Sequence, residues 1–122
     1  METTSTLASD VVLTREDGRV VCERLLVAAR PLPRMIGLLG RATLPRDEGI
    51  LLRPAGSIHT FFMRFPIDAV FLDRDHVVVG LAPNLAPWRT AARRGAKAVL
   101  ELAGGECERR GLRVGDRLIV PG

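Results

Sequence analysis

From Ser57 to Asp68 the chain reads Ser-Ile-His-Thr-Phe-Phe-Met-Arg-Phe-Pro-Ile-Asp, an apolar run that carries three ionisable groups. Histidine is a residue type suited to acid or base work at neutral pH, which makes His59 a candidate for that role. Arg64 offers a planar, permanently charged fork suited to a carboxylate or phosphate. Asp68 could serve as a general base or anchor a ligand beside them. His59 and Asp68 are thus the candidate catalytic pair of a hydrolase-like enzyme. Arg64, His59, Met63 and Asp68 are candidate ligand-binding residues of a cleft roofed by Asn84 to Trp88. All five aromatic residues lie between Phe61 and Trp88, and four of them between Phe61 and Phe71.

Each of these residues also has a structural reading. Asp68 follows Pro66 by two positions, and its first reading is a carboxylate that pins the bend by accepting backbone N–H groups. His59, alone in an apolar strand, reads as a satisfied core residue. Ser57 shares its strand face but lacks the strand-turn-helix setting of a nucleophile elbow. Arg64 should point outward to a ligand, or else pair with Asp68 or Asp73. Phe61, Met63 and Phe65 are most simply core, and Asp116 is a turn residue. His59, His76, Asp68, Asp73 and Asp75 are metal-ligand types, yet no pair has a defined spacing. No metal and no cofactor is expected.

The elements that must position these groups follow from period and punctuation. Val11–Leu13 and Arg19–Val27 read as strands joined at Asp17-Gly18, a strong hairpin signal. Leu32, Met35, Ile36 and Leu39 mark one face of a short helix over 31–41. Gly49–Arg53 and Ser57–Met63 read as strands, with His59, Phe61 and Met63 on one face of the second. Pro66 forces a bend or an edge. Ile67–Leu72 and Val77–Leu81 are strands around the turn Asp73-Arg74-Asp75-His76, where histidine tolerates positive φ. Ala82–Trp88 reads as an extended loop and Ala96–Leu102 as a strand. Gly105–Arg110 makes a helical turn stopped by Gly111, and Asp116–Val120 a last strand. The sum is an α+β domain, mainly β, with a single partly closed barrel-like sheet and two short helices.

At 122 residues the chain holds one core: a domain over 11–122 behind a small, polar segment, 1–10, expected to be flexible. Apolar residues make up 47% and charged residues 26%, an ordinary globular balance. No export signal or membrane span is evident, so a cytoplasmic location is expected. The net charge of +4 comes from 17 Arg and one Lys. Arg89, Arg93, Arg94 and Lys97 cluster beside Trp88, which reads as a solvated loop; without a recognisable nucleic-acid motif, nucleic acid is not an expected partner. Cys22 and Cys107 fit no metal or redox spacing and read as reduced, small core residues.

Six segments carry a resemblance: Met35–Gly40, Gly49–Pro54, Ile58–Asp68, Val70–Asp73, Ala98–Leu102 and Gly111–Asp116. In order and spacing they resemble domain-of-unknown-function family 192 of bacteria and archaea, over roughly Arg19 to Val120. The resemblance implies a compact, mainly β domain with no established activity, cofactor or catalytic residues. Phe62 and Arg64-Phe65 replace the Trp and Lys-Asn of many relatives, and Leu102-Ala-Gly-Gly105 replaces Leu-Pro-Ala-Gly, which marks a subgroup. The functional expectation is a module binding a small anionic ligand or peptide near residues 57–68. A hydrolase using His59 and Asp68 stands second, and a structural or protein-interaction module third.

Overall fold

Two mostly apolar runs, Ile67–Leu72 and Ala98–Ala103, each with one buried carboxylate, form the middle of the fold because neither leaves a face for water. The structure is a computed structural model and describes residues 11–28 and 43–120. In chain order the strands are β1 (Leu13–Arg15), β2 (Val20–Cys22), β3 (Arg24–Ala28), β4 (Glu48–Leu52), β5 (Ser57–His59), β6 (Ile67–Leu72), β7 (Val78–Leu85), β8 (Thr90–Ala92), β9 (Ala98–Ala103) and β10 (Leu118–Ile119). One helical turn, α1 (Glu106–Arg109), precedes β10. The helix expected over 31–41 lies outside the described residues.

The principal sheet runs β3-β4-β9-β6-β7, with β3 and β4 parallel and every other pair antiparallel. Side chains alternate across it and supply two cores. On one face Leu51, Val70, Leu72, Leu100 and Leu102 pack against Leu13, Val21, Leu112 and Leu118 from the three-stranded sheet β10-β1-β2 and its flanking loops. On the other, Ile50, Ile67, Phe71 and Val99 pack against Ile58, Met63 and Phe65.

The domain is mainly β, as expected, but among the described residues it forms three sheets and no closed barrel. The reasons are local. The run Arg19–Val27 is not one strand, because the N–H groups of Glu23 and Arg24 both donate to the Asp47 carbonyl and turn the chain from one sheet into the next. The stretch Ser57–Met63 stays extended only to His59, where it pairs with β8 rather than with β4. Conversely, β7 continues through Pro83 to Leu85, beyond the expected end at Leu81; as an edge strand it tolerates a residue without an N–H.

The β6–β7 pair is bulged at Asp68: Ile67 faces Leu85 while Ala69 faces Ala82, so Pro83 and Asn84 oppose one residue. Asp68 is fully buried and resolves the mismatch. Its Oδ1 accepts the N–H groups of Asn84 at 2.7 Å and Gly105 at 3.0 Å, and its Oδ2 accepts that of Cys107 at 2.8 Å. One carboxylate therefore ties the bulge to the start of α1.

Helix α1 is held at its other end by charge. The buried Glu106 carboxylate receives Arg109 at 2.6 and 2.8 Å and Arg110 at 3.1 Å, while Arg110 reaches Glu23 at 2.9 Å and the Arg46 carbonyl at 3.0 Å. The Arg109 hydrogen bonds, with help from Arg110 and against burial, hold the Glu106 carboxyl below the usual range. A depressed folded pKa contributes stability above the unfolded value of about 4.3, and that stability is lost as pH falls through the folded value. Arg110→Met should therefore destabilise the domain by about 2 kcal/mol at neutral pH, with the gap to wild type narrowing in acid. Urea titrations at several pH values test this; a gap constant down to strong acid would remove Glu106 as its source.

Candidate functional site

The β5–β8 ribbon is the local scaffold. Ile58 is buried in the second core, so its neighbours Ser57 and His59 face the other way. Ser57 pairs with Ala92 and His59 with Thr90. Along this ribbon runs an open groove of about 700 Å³ lined by Ser57, His59, Thr90, Ala92 and Arg93.

Beyond His59 the chain would run on as a strand were it not for Thr60. This fully buried hydroxyl donates to the Ala86 carbonyl at 2.6 Å and accepts the Arg89 N–H at 2.9 Å. The Thr60 carbonyl in turn accepts the N–H groups of Met63 at 3.2 Å and Trp88 at 3.0 Å. One residue thus clamps the loop after β5 to the loop before β8. Clamped in this way, Phe62 and Trp88 adopt φ of +69° and +65°, a region bulky side chains enter only under constraint.

That constraint builds an aromatic platform. Phe61 stacks on Trp88 at 5.7 Å between ring centroids, Phe62 meets Trp88 edge-on at 4.6 Å, and His59 lies 4.8 Å from Phe61. Phe61, Phe62 and Trp88 remain 37, 60 and 55% exposed. Phe61 is therefore not core, whereas Met63 and Phe65 are.

The segments that carry the ribbon and the platform are one-sided in charge. Residues 49–67 and 76–100 contain no Asp or Glu, yet they carry Arg53, Arg64, Arg89, Arg93, Arg94 and Lys97. Arg64 is exposed and makes no hydrogen bond or ion pair among the described residues, including with Asp68 or Asp73. Arg93 is laid across the sheet. It donates to the carbonyls of Leu81 and Ala92, each at 2.8 Å, and its guanidinium sits 5.2 Å from the Phe71 ring centroid. Gly80 makes room, since a Cβ there would lie 2.5 Å from Arg93 Cγ.

The residues nominated from the sequence are thus divided. His59 and Trp88 belong to the ribbon and its platform, and Arg64 follows Met63 on the same loop. Asp68 points to the α1 side of the principal sheet, with both oxygens occupied by backbone N–H groups. Asn84, at φ +50°, borders a separate cavity of about 280 Å³ with Phe65, Pro66 and Gly104. The Nδ1 of His59 accepts the Phe61 N–H at 3.3 Å, which leaves the neutral ring protonated at Nε2. No nucleophile–base hydrogen bond and no cluster of metal-ligating side chains is assembled among the described residues.

Thr60 was not singled out in the sequence, and Arg93 was read there only as one cation of a solvated loop. Gly80, in an otherwise valine-rich strand, is the one local sign that a long side chain crosses there. Both cysteines are buried free thiols. Burial pushes Cys22 up to about 12, and burial together with the Asp68 carboxylate raises Cys107 as well, so neither is an activated nucleophile.

Fold and site define a small mixed-sheet β domain that displays an aromatic-rimmed, carboxylate-free groove on a side ribbon. The chain belongs to the DUF192 family, described as "Uncharacterized ACR", which it matches over residues 11–120. A UPF0127 protein of Pyrococcus furiosus is 38% identical over 93 residues, covering 71% of this chain and 78% of the relative. A Novosphingobium aromaticivorans protein of unknown function superposes with a TM-score of 0.76 at 26% identity, covering 90% of this chain and 84% of the other. A Sinorhizobium meliloti protein, described provisionally as a transcription regulator, gives a TM-score of 0.75 at 26% identity, covering 88% and 89%. No helix among the described residues is long and apolar enough to cross a membrane.

Proposed function

We infer that this domain is a binding module whose β5–β8 groove takes an anionic ligand bearing an apolar group, foremost an acidic peptide. The observation that carries this is the aromatic platform: Phe62 and Trp88 are both strained and exposed. Strain of this kind disfavours folding by about 1–3 kcal/mol per residue and persists where the geometry is used. Exposed aromatics anchor partners through large, rigid contact area. Arg64, Arg89 and Arg93 lie on segments that carry no Asp or Glu, a balance that favours negative charge. Arg64 is the cation available to a ligand, and His59 a polar group at the groove.

Trp88 is the sole tryptophan, so its emission reports directly on the platform. Titration with acidic, aromatic-containing peptides should shift it saturably, while the same peptides with lysine for aspartate should not. Trp88→Ala should weaken binding by about 2 kcal/mol or more, roughly thirtyfold. Phe62→Gly should lose affinity yet leave the fold as stable as wild type or up to about 1 kcal/mol more so, because glycine adopts positive φ freely. If Phe62→Gly instead destabilises and binding is unaffected, the platform is scaffold.

The provisional description of the Sinorhizobium protein supplies a second reading, since aromatics with arginine also suit single-stranded nucleic acid. A single-stranded oligonucleotide in the same titration separates the two. Tighter binding than the acidic peptides would move the assignment to nucleic acid.

A further inference from the structure

We propose that the end of the principal sheet where β4, β6 and β9 meet is a second anion site, formed for a phosphate-bearing small molecule. The register creates the juxtaposition. Leu52 of β4 pairs with Val99 of β9, and Leu72 of β6 pairs with Ala98. Because both neighbours run antiparallel to β9, they end where it begins, and Arg53 and the Asp73–His76 turn flank Lys97. The Lys97 N–H donates to the Leu72 carbonyl at 2.7 Å, and the Ala55 N–H donates to the Lys97 carbonyl at 2.9 Å. These bonds fix the three strand ends around a cavity of about 320 Å³ lined by Arg53, Pro54, Asp73, Arg74, His76 and Lys97.

Charge gives the cavity its meaning. Arg15, Arg24, Arg109, Arg110 and Arg117 each lie within 4.0 Å of a carboxylate. Arg53, Arg74 and Lys97 make no side-chain hydrogen bond or ion pair among the described residues. Asp73 lines the same cavity, but its Oδ1 already accepts the N–H groups of Asp75 at 2.8 Å and Val77 at 3.0 Å. Three cations and an imidazole therefore line one concavity with a single carboxylate, a net positive lining that a bound anion balances. Two planar guanidinium forks and a compact ammonium match the several peripheral oxygens of a phosphate better than the two of a carboxylate. The volume is at the lower end of the small-ligand range, and Pro54 provides an apolar wall. No residue is shared with the β5–β8 groove.

Lys97 is the only lysine, so acylation of its amine, followed on its own peptide by mass spectrometry, isolates this site. At constant ionic strength, inorganic phosphate and glycerol phosphate should slow that acylation saturably, and chloride should not. Arg74→Gln and Arg53→Gln should each raise the half-protecting concentration about tenfold; Arg74 is exposed, so its variant decides should Arg53→Gln lower the melting temperature. Vesicles of phosphatidic acid in phosphatidylcholine form the second arm, and protection there alone would make the phosphate a lipid headgroup. The proposal is overturned by absence of saturable protection in both arms, by equal protection from chloride, or by unchanged protection in Arg74→Gln.

Discussion

Asp68→Ala should lose most of the stability of this domain, about 4 kcal/mol or more, and leave a substantial unfolded population at ambient temperature. The carboxylate accepts three backbone N–H groups, from Asn84, Gly105 and Cys107, in a place with no solvent access. Alanine leaves all three donors facing a void. Each buried, unsatisfied donor costs about 1–3 kcal/mol. Asp68→Asn is the finer probe, because its shape fits but one oxygen becomes an NH2 group opposed to a backbone donor. That variant should cost about 2–3 kcal/mol. Urea denaturation followed by far-ultraviolet circular dichroism is the measurement, since Trp88 is too exposed to report on the core. A variant within about 0.5 kcal/mol of wild type would contradict the bracing role and return Asp68 to consideration as a functional carboxylate.

Thr60→Val should cost about 2 kcal/mol and, in the same substitution, abolish binding at the β5–β8 groove. Valine matches threonine in shape but can neither donate to Ala86 nor accept from Arg89, so two partly buried hydrogen bonds are lost. The functional consequence follows from geometry. Without the hydroxyl only the Thr60 backbone bonds to Met63, Trp88 and Arg89 tie the two loops, so Phe62 and Trp88 should relax from positive φ and the three-ring arrangement should disperse. Thr60→Ser keeps the hydroxyl and should retain affinity at a smaller loss of stability. Nuclear magnetic resonance of the Trp88 indole reads the platform directly, where the wild-type shift should collapse toward the free-indole value in Thr60→Val and not in Thr60→Ser. An unchanged indole shift in Thr60→Val would show that the platform needs no clamp.

The two substitutions act through different parts of the fold. Asp68 fastens α1 to the bulge between β6 and β7, whereas Thr60 fastens one side loop to another. Their effects on stability should therefore add in the double variant to within about 0.5 kcal/mol.

How much of this was legible beforehand varies residue by residue. Ile67–Leu72 and Ala96–Leu102 read as strands because short runs rich in valine, isoleucine, leucine and phenylalanine favour the pleated state, and both form strands there even though each run holds one buried carboxylate. His76 was legible as a left-handed turn residue, and its φ is +65°. Gly111, which ends α1, sits at φ +67°, as its place after the helical turn implied. The resemblance to family 192 rested on short motifs and extends over residues 11–120.

Other features had little or no local sign. That Ser57–Met63 stops being a strand at His59 depends on Thr60 meeting Ala86 and Arg89, residues 26 and 29 positions away. Phe61 alternates in sequence as a core residue would, and it lies outside because the backbone reverses before the alternation can continue. Arg93 reads as a solvated loop cation until the strand bearing Gly80 is placed beneath it. The cations Arg53, Arg74 and Lys97 are far apart in the chain and meet only because β4 and β6 end where β9 starts.

Composition and periodicity were enough to settle that this chain forms a small, mainly β domain, because burial patterns and turn chemistry act over a few neighbouring residues. Whether its strands close or separate, which aromatics are displayed and where Arg53, Arg74 and Lys97 gather were decided by the tertiary structure. Those outcomes turn on hydrogen bonds and strand registers between distant segments, whose free energies no local pattern records.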